Sequence, residues 1–315
     1  MKNFLFIILL GAALLAAAGV VSETKENIVY RQPDGLEITI RKKPERVIVA
    51  YASLAPVWDL AGGKAGGKAG GKAVGVSSAR DKTAIPESMK HLPVVGVSTT
   101  PSVEKIVALK PDLVILTSRV NRHYRAAGLL RRMGITAVCV EYGSYDDFST
   151  LLDFFCRING RTIADVPAAK QVVRDVESVC AKTKGLKKPR YALIFASGGG
   201  FLLESSSFSV GRMAAMLGAE NIRKTEQPGR TQFSYEQLLL DDPDVIFITT
   251  MGDAEGLKEK FRRDFMDRPA WKTLSAAKNG RVHFLPVDLF LYMPGPRYPE
   301  AFRELAKLLY PGKEF

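Results

Sequence analysis

Cysteine is scarce: Cys139, Cys156 and Cys180 are the only three in 315 residues. One must stay unpaired and no two form a Cys-x-x-Cys pair, so a disulfide framework and a zinc finger are both excluded. Histidine is equally sparse. His91, His123 and His283 share no helical or strand spacing, whereas a zinc site needs three or four convergent ligands. There is no G-x-S-x-G elbow and no H-E-x-x-H, which removes the common hydrolase and metalloprotease signatures. Tryptophan occurs twice, at Trp58 and Trp271. Runs of one charge are missing as well. The 45 Lys+Arg outnumber the 33 Asp+Glu for a net charge of +12, yet the basic residues are scattered through amphipathic segments. Without a basic arm or an aromatic–basic ribbon, nucleic acid is not the expected partner. The charge favours anionic ligands or an anionic surface instead. A charged fraction of 25% and 46% hydrophobic residues exclude disorder, collagen and coiled coil and leave a globular chain with one large or two medium domains.

One long apolar run is present. Lys2 precedes an uninterrupted stretch from Phe4 to Val21, followed by Glu23, Lys25 and Glu26. A basic start, an apolar middle and small residues (Ala16 to Gly19) before the polar turn describe a cleaved secretory signal over 1–22. At 18 residues the run is at the lower limit for a membrane-spanning helix. It contains no Cys to carry a lipid, so the expected product is a periplasmic protein without a lipid anchor. The three cysteines read as buried free thiols, with a disulfide as the alternative in an oxidising compartment.

The chain contains an internal repeat. PSVEKIVALKPDLVILTS at 101–118 aligns with FSYEQLLLDDPDVIFITT at 233–250 at a constant offset of 132 residues. Ser102 matches Ser234, Glu104 matches Glu236, Pro111–Asp112 matches Pro243–Asp244, and Thr117 matches Thr249. Each copy starts a helix after Ser, stops it at Pro-Asp and launches an apolar strand. Strands apolar on successive residues suit a sheet covered on both faces. RVIVAYAS at 46–53 resembles RYALIFAS at 190–197, and GITAVCVE at 134–141 resembles NGRVHFLP at 279–286. Each half therefore reads as strand, helix, strand, helix, strand with a parallel-rich sheet. Between the halves, from Ala164 to about Lys184, one apolar stripe (Val166, Val172, Val173, Val176, Val179, Cys180) marks a long helix. Pro167 opens it and Gly185 closes it.

Three further features read blandly. Residues 61–72 are AGGK three times over, a near P-loop that fails at Ala69 where a hydroxyl is needed, and a duplicated surface loop accounts for it. Ser197-Gly198-Gly199-Gly200-Phe201 lacks the third glycine of a dinucleotide fingerprint at the right spacing; a tight strand exit close to a ligand is preferred. Asp146-Asp147 opens a helix, where capping suffices.

From about Arg46 to Pro311 the order of segments resembles the class III periplasmic binding proteins that feed ABC importers of iron-siderophores, haem and cobalamin. The pieces that carry the resemblance are PSVEKIVALKPDLVI, FSYEQLLLDDPDVIFI, AKNGRVHFLP and PGPRYPEAFRELAKLLYP. It implies an α/β protein of two lobes with parallel-rich sheets: an N-terminal lobe at 46–160, one connecting backbone helix at 161–188 and a C-terminal lobe at 189–315. It implies a monomeric, non-enzymatic receptor that clasps its ligand between the lobes. The same resemblance implies that Glu104 and Glu236 dock on arginines of an inner-membrane permease/ATPase complex, which a two-fold-symmetric partner would favour. Neither catalytic residues nor a resident cofactor is expected. An exported metal-cluster enzyme on a related scaffold, the alternative class, would need a Cys or His cluster.

In open α/β sheets ligands sit at the carboxyl ends of strands. Those ends supply Tyr51, Ser53, Ser98, Thr99 and Arg119 in the first half, with Tyr142 at its close. In the second half they supply Ser197, Phe201, Asp288 and Tyr292, joined by Arg230. Arg119 and Arg230 suit carboxylate or catecholate oxygens, and if both face one cavity unpaired they call for an anion between them. A ferric siderophore fits this Arg and Tyr content best. Haem would need an axial ligand, for which Tyr51 is the candidate, and the lack of cleft tryptophans argues against cobalamin.

Overall fold

The computed structural model describes residues 17–63, 72–79, 85–223 and 229–315. Most of the apolar leader and the centre of the AGGK repeat lie outside the described residues.

The chain begins with an antiparallel sheet of β1 (Gly19–Glu23), β2 (Asn27–Arg31) and β3 (Glu37–Arg41). Its alternation is plain: Ile28, Tyr30, Ile38 and Ile40 are buried while their neighbours in β3 face solvent, the period-2 pattern of a half-buried strand. The last four residues of the 1–22 segment belong to β1, and residues 27–41 pack onto the first lobe, whose expected start was 46. Gln32 joins them, its side-chain oxygen accepting from the Cys139 amide at 2.6 Å. Glu23 pairs with Lys42 and, at 3.0 Å, with Arg157, fastening β1 to the lobe.

The first lobe runs β4 (Val47–Val49), α1 (Ala55–Leu60), β5 (Ala73–Ser78), β6 (Val94–Val97), β7 (Thr100–Pro101), α2 (Val103–Ala108), β8 (Leu113–Thr117), α3 (Asn121–Arg132), β9 (Thr136–Val140) and α4 (Tyr145–Ile158). Its sheet order is β7-β6-β5-β4-β8-β9, parallel except at β7. Helix α5 (Pro167–Thr183) follows, with Pro167 in its first turn and Gly185 at φ 79° just beyond it. It occupies the middle of the expected 161–188 segment; a separate 3₁₀ turn, Ile163–Asp165, precedes it.

The second lobe runs β10 (Arg190–Ser197), β11 (Gly200–Glu204), α6 (Ser209–Met216), β12 (Glu220–Asn221), β13 (Arg230–Gln232), α7 (Tyr235–Asp241) and β14 (Val245–Met251). It continues with α8 (Ala254–Phe261), α9 (Ser275–Lys278), β15 (Val282–Phe284), α10 (Val287–Phe290) and α11 (Tyr298–Leu309). Here the expected strand–helix alternation fails at the start. Ser197 pairs with Gly200 across a two-residue turn, so β10 folds straight back into antiparallel β11. Gly198-Gly199 supplies that turn.

The internal repeat has a physical purpose visible in both lobes. Ser102 and Ser234 cap α2 and α7, accepting from the amides of Lys105 and Gln237 at 3.4 and 3.1 Å. Both helices end on a non-glycine residue in the left-handed region, Lys110 at φ 45° and Asp242 at φ 38°, immediately before a proline that cannot continue the helix. The aspartate after that proline then anchors the neighbouring strand. Asp112 accepts from the amides of Glu45 and Arg46 at 2.6 and 2.9 Å, and Asp244 accepts from that of Arg190 at 2.7 Å.

Strand parity sorts the core. Val47, Leu113, Val138, Tyr191, Val245 and Phe247 belong to one cluster that spans both lobes through α1, α4, α5, α6 and α11. Ile48, Val114 and Ala137 face α2 and α3 in a second cluster, and Ile194, Ile246 and Ile248 form a third with Tyr235, Leu257 and Phe261. Tyr145 meets Tyr298 and Phe302 edge-on at 5.1 and 5.2 Å across the lobe boundary. Arg212 pairs there with Asp146, and Arg303 with Asp175 at 3.2 Å. A shared close-packed core resists wide opening.

Candidate functional site

The carboxyl ends of β4, β8 and β9 converge on one wall. Tyr51 leaves β4 half-buried, with its ring edge-on to His123 at 5.9 Å. Burial pushes its phenol pKa up, the Arg119 guanidinium and a hydrogen bond with Ser53 pull it down, and Glu141 and Tyr292 add upward pushes. That set joins Tyr51, Ser53 and Arg119 of the first lobe to Tyr292 of the second, which is exposed. His123 is fully buried behind Tyr51. Its Nδ1 accepts from the Thr117 amide at 3.3 Å, so its Nε2 donates to the Ser98 carbonyl at 2.8 Å; burial lowers its pKa. Ser98 is also fixed through its hydroxyl, which donates to the Ser78 carbonyl at 2.9 Å and accepts from the Ala52 amide at 3.3 Å. Thr99 beside it is exposed at the β6–β7 turn.

Both arginines expected to await an anion already have carboxylates. Arg119 Nη1 donates to Glu141 Oε1 at 3.0 Å, while Ser118 Oγ donates to Glu141 Oε2. Arg119 lies over Gly143, where a Cβ would run into its guanidinium. Strand register puts Arg230 opposite Glu204, down the sheet from the Gly198-Gly199 turn. Its guanidinium is 2.6 Å from Glu204 and stacks 3.6 Å from the Phe195 ring centroid, with the Phe208 centroid at 4.7 Å. Glu204 is almost sealed, and burial raises its pKa against the opposing pull of Arg230. The premise of two unpaired cations facing one cavity is thus corrected: each is neutralised within its own lobe.

Other expected cleft residues divide. Tyr142, expected at the cleft, is only 1% exposed and packs in the shared core against Phe148. Phe201 packs edge-on against Phe261 and Phe265 at 5.3 and 5.2 Å, in the outer aromatic cluster of the second lobe. Ser197 steadies the hairpin turn by accepting from the Gly199 amide at 3.3 Å. Asp288 is exposed and pairs with Arg297 at 2.8 Å. Both tryptophans are buried. Met251, 46% exposed at the end of β14 and paired in register with Ser197, is a strand-end residue that the sequence reading passed over. Glu141, Glu204 and His123 were passed over too. The only sequence signal for the two glutamates is a charge closing an apolar strand.

Glu104 and Glu236 occupy the second position of α2 and α7, exposed in both lobes. A carboxylate there is also what the helix dipole favours. Cys139, Cys156 and Cys180 are free, with burial holding their thiols up at about 12, 12 and 11. Among the described residues there is no group of three or more His, Cys, Asp or Glu arranged for a metal ion, and no helix is long and apolar enough to cross a membrane.

Residues 47–289 match the model of the family described as periplasmic binding protein. The chain belongs to the periplasmic binding protein family. Within it, a high-affinity heme uptake system protein of Staphylococcus aureus is 24% identical over 235 residues, covering 73% of this chain and 78% of that protein. Among solved structures, an ABC transporter substrate-binding protein from Listeria monocytogenes shares the fold with a TM-score of 0.71 at 22% identity, covering 85% of this chain and 99% of that one. The periplasmic vitamin B12 binding protein of Vibrio cholerae does so with a TM-score of 0.64 at 24% identity, over 85% and 97% of the two chains. The family match bears out the resemblance drawn from the repeat and the expected two-lobed α/β fold. Periplasmic binding proteins bind and deliver solutes and are not enzymes.

Proposed function

We propose that this periplasmic binding protein is an exported receptor that captures haem between its lobes and hands it to an ABC permease. The observation that carries this reading is Tyr51, a half-buried phenol on the cleft wall with a cation beside it and Tyr292 of the other lobe within electrostatic reach. A tyrosine is a competent axial ligand for ferric haem; burial raises the Tyr51 pKa, and the neighbouring Arg119 offsets part of that rise. Haem is cargo here, not a resident cofactor. The likeness to a heme uptake protein supports the same reading. The ferric siderophore favoured by the sequence drew on Arg and Tyr content together; the arginine part of that argument is weakened because each arginine is paired.

Delivery is assigned to Glu104 and Glu236, equivalent exposed carboxylates on equivalent helices. The test is an absorbance titration of the purified protein with haemin, a ferric siderophore and cyanocobalamin in parallel. Haemin should give a saturable spectrum whose ligand-to-iron band disappears in Tyr51→Phe, and the Glu104→Ala/Glu236→Ala double variant should bind identically while failing to support uptake in cells. Tight binding of the siderophore or cobalamin with none of haemin overturns the ligand; full uptake by the double variant overturns the docking role.

A further inference from the structure

Glu141 has a place in the cleft wall that scaffold duty does not explain. It closes β9 half-buried, with one carboxylate oxygen on Arg119 at 3.0 Å and the other held by Ser118. The Arg119 and Glu141 side chains are 46% and 38% exposed, so the pair is open to the cleft solvent. Its guanidinium lies in the space that Gly143 leaves by having no side chain, and it acts on the Tyr51 phenol alongside Glu141. A guanidinium fork of this kind takes one carboxylate in its best geometry. Glu141 engages only Nη1 of that fork, so an arriving ligand carboxylate must compete with it for that nitrogen and also meets its negative charge.

We propose that Glu141 sets which ligand charge the cleft accepts: it holds Arg119 Nη1 while the cleft is empty, so an anionic ligand takes that nitrogen only by displacing it and meets its negative charge at the remaining donors. The inference rests on the receptor reading above. An exposed pair is weak enough to be displaced, so Glu141 discriminates by degree: ligands without a carboxylate pass unhindered, and those with one are held down. Removing the charge of Glu141 should strengthen binding of acidic ligands alone, the signature of a specificity residue and not of a structural one.

The experiment compares haemin with haemin dimethyl ester, which has the same ring and iron but no free carboxylate, on wild type, Glu141→Gln and Arg119→Gln. Glu141→Gln should bind haemin roughly three- to tenfold tighter and the ester within about twofold of wild type. Arg119→Gln should weaken haemin more than the ester, since both lose the cation beside Tyr51 but only haemin loses a carboxylate contact. A second measurement needs no ligand: modification of Arg119 by phenylglyoxal, mapped by peptide mass, should be faster in Glu141→Gln and unchanged in Glu141→Asp. An unchanged haemin affinity, or equal gains for haemin and ester, overturns the proposal. If neither porphyrin binds wild type, the haem reading falls, and an unaltered phenylglyoxal rate in Glu141→Gln then overturns the occupied fork separately.

Discussion

In the first lobe Arg119 meets Glu141 at 3.0 Å with both side chains near half exposure, whereas in the second Arg230 meets Glu204 at 2.6 Å with a carboxylate side chain only 4% exposed. The two arginines look alike in sequence, each close to an apolar strand. Their surroundings give them different work. Arg230 lies against two phenyl rings and compensates a carboxylate that is almost sealed from water, so it is part of the second lobe's architecture. Arg119 has a partner that solvent or a ligand can replace. An ion pair's exposure, not its length, decides whether it is scaffold or site.

The largest effect follows from the pair whose carboxylate is buried, although the Arg230 side chain is itself 34% exposed. Arg230→Ala leaves Glu204 sealed without its counter-ion, and losing one partner of such a pair costs about 3 kcal/mol at pH 7. The melting temperature should fall by roughly 5–10 °C. The pH dependence has a definite sign. Burial already raises the Glu204 pKa, and without Arg230 it rises further, so the folded state takes up a proton more readily than the unfolded chain. The penalty should shrink as pH falls towards the ordinary carboxylate range and grow as pH rises through the raised folded pKa. Thermal melts of wild type and variant across pH 4–8 (roughly the span of carboxylate titration) check this; a penalty independent of pH would mean that Glu204 is not the group left stranded.

A smaller effect compares the lobes through their repeat. Asp112 holds two amides at the foot of β4, whereas Asp244 holds one at the foot of β10. Asp112→Ala should cost about 2 kcal/mol and Asp244→Ala about 1 kcal/mol, measured by urea unfolding. The reverse order would show that these anchors do not act through the bonds they make.

Local signals carried the fold; distant partners carried the site. The serine caps, the Pro-Asp stops and the apolar strands all act within a few residues, so both copies of the repeat were legible. The β10–β11 hairpin was misjudged because Gly198-Gly199 serves a tight turn as readily as a strand exit. The sheet of Asn27 to Arg41 was overlooked although its alternation is visible. Tyr142 could not be read as buried, since what covers it comes from Gly295 and Tyr298 far along the chain. Glu141 and Glu204 lie 22 and 26 residues from the arginines they neutralise, a separation at which no spacing rule pairs charges.

The smallest expected effect is the one that sharpens the comparison most. Arg119→Ala removes a guanidinium whose side chain is 46% exposed, and solvent-screened pairs of this kind contribute about 0.2–1 kcal/mol. Nothing charged is stranded by the change. Glu141 keeps the Ser118 hydroxyl and is itself open to water, and Gly143 merely faces a vacated space. The melting temperature should therefore move by less than about 3 °C, against the much larger fall for Arg230→Ala under the same conditions. Haemin affinity should move the other way round: weakened by Arg119→Ala, and unaltered by Arg230→Ala at a temperature where that variant is folded. Equal losses of stability in the two variants would break the distinction between a scaffold pair and a cleft pair on which the assignment of Arg119 depends.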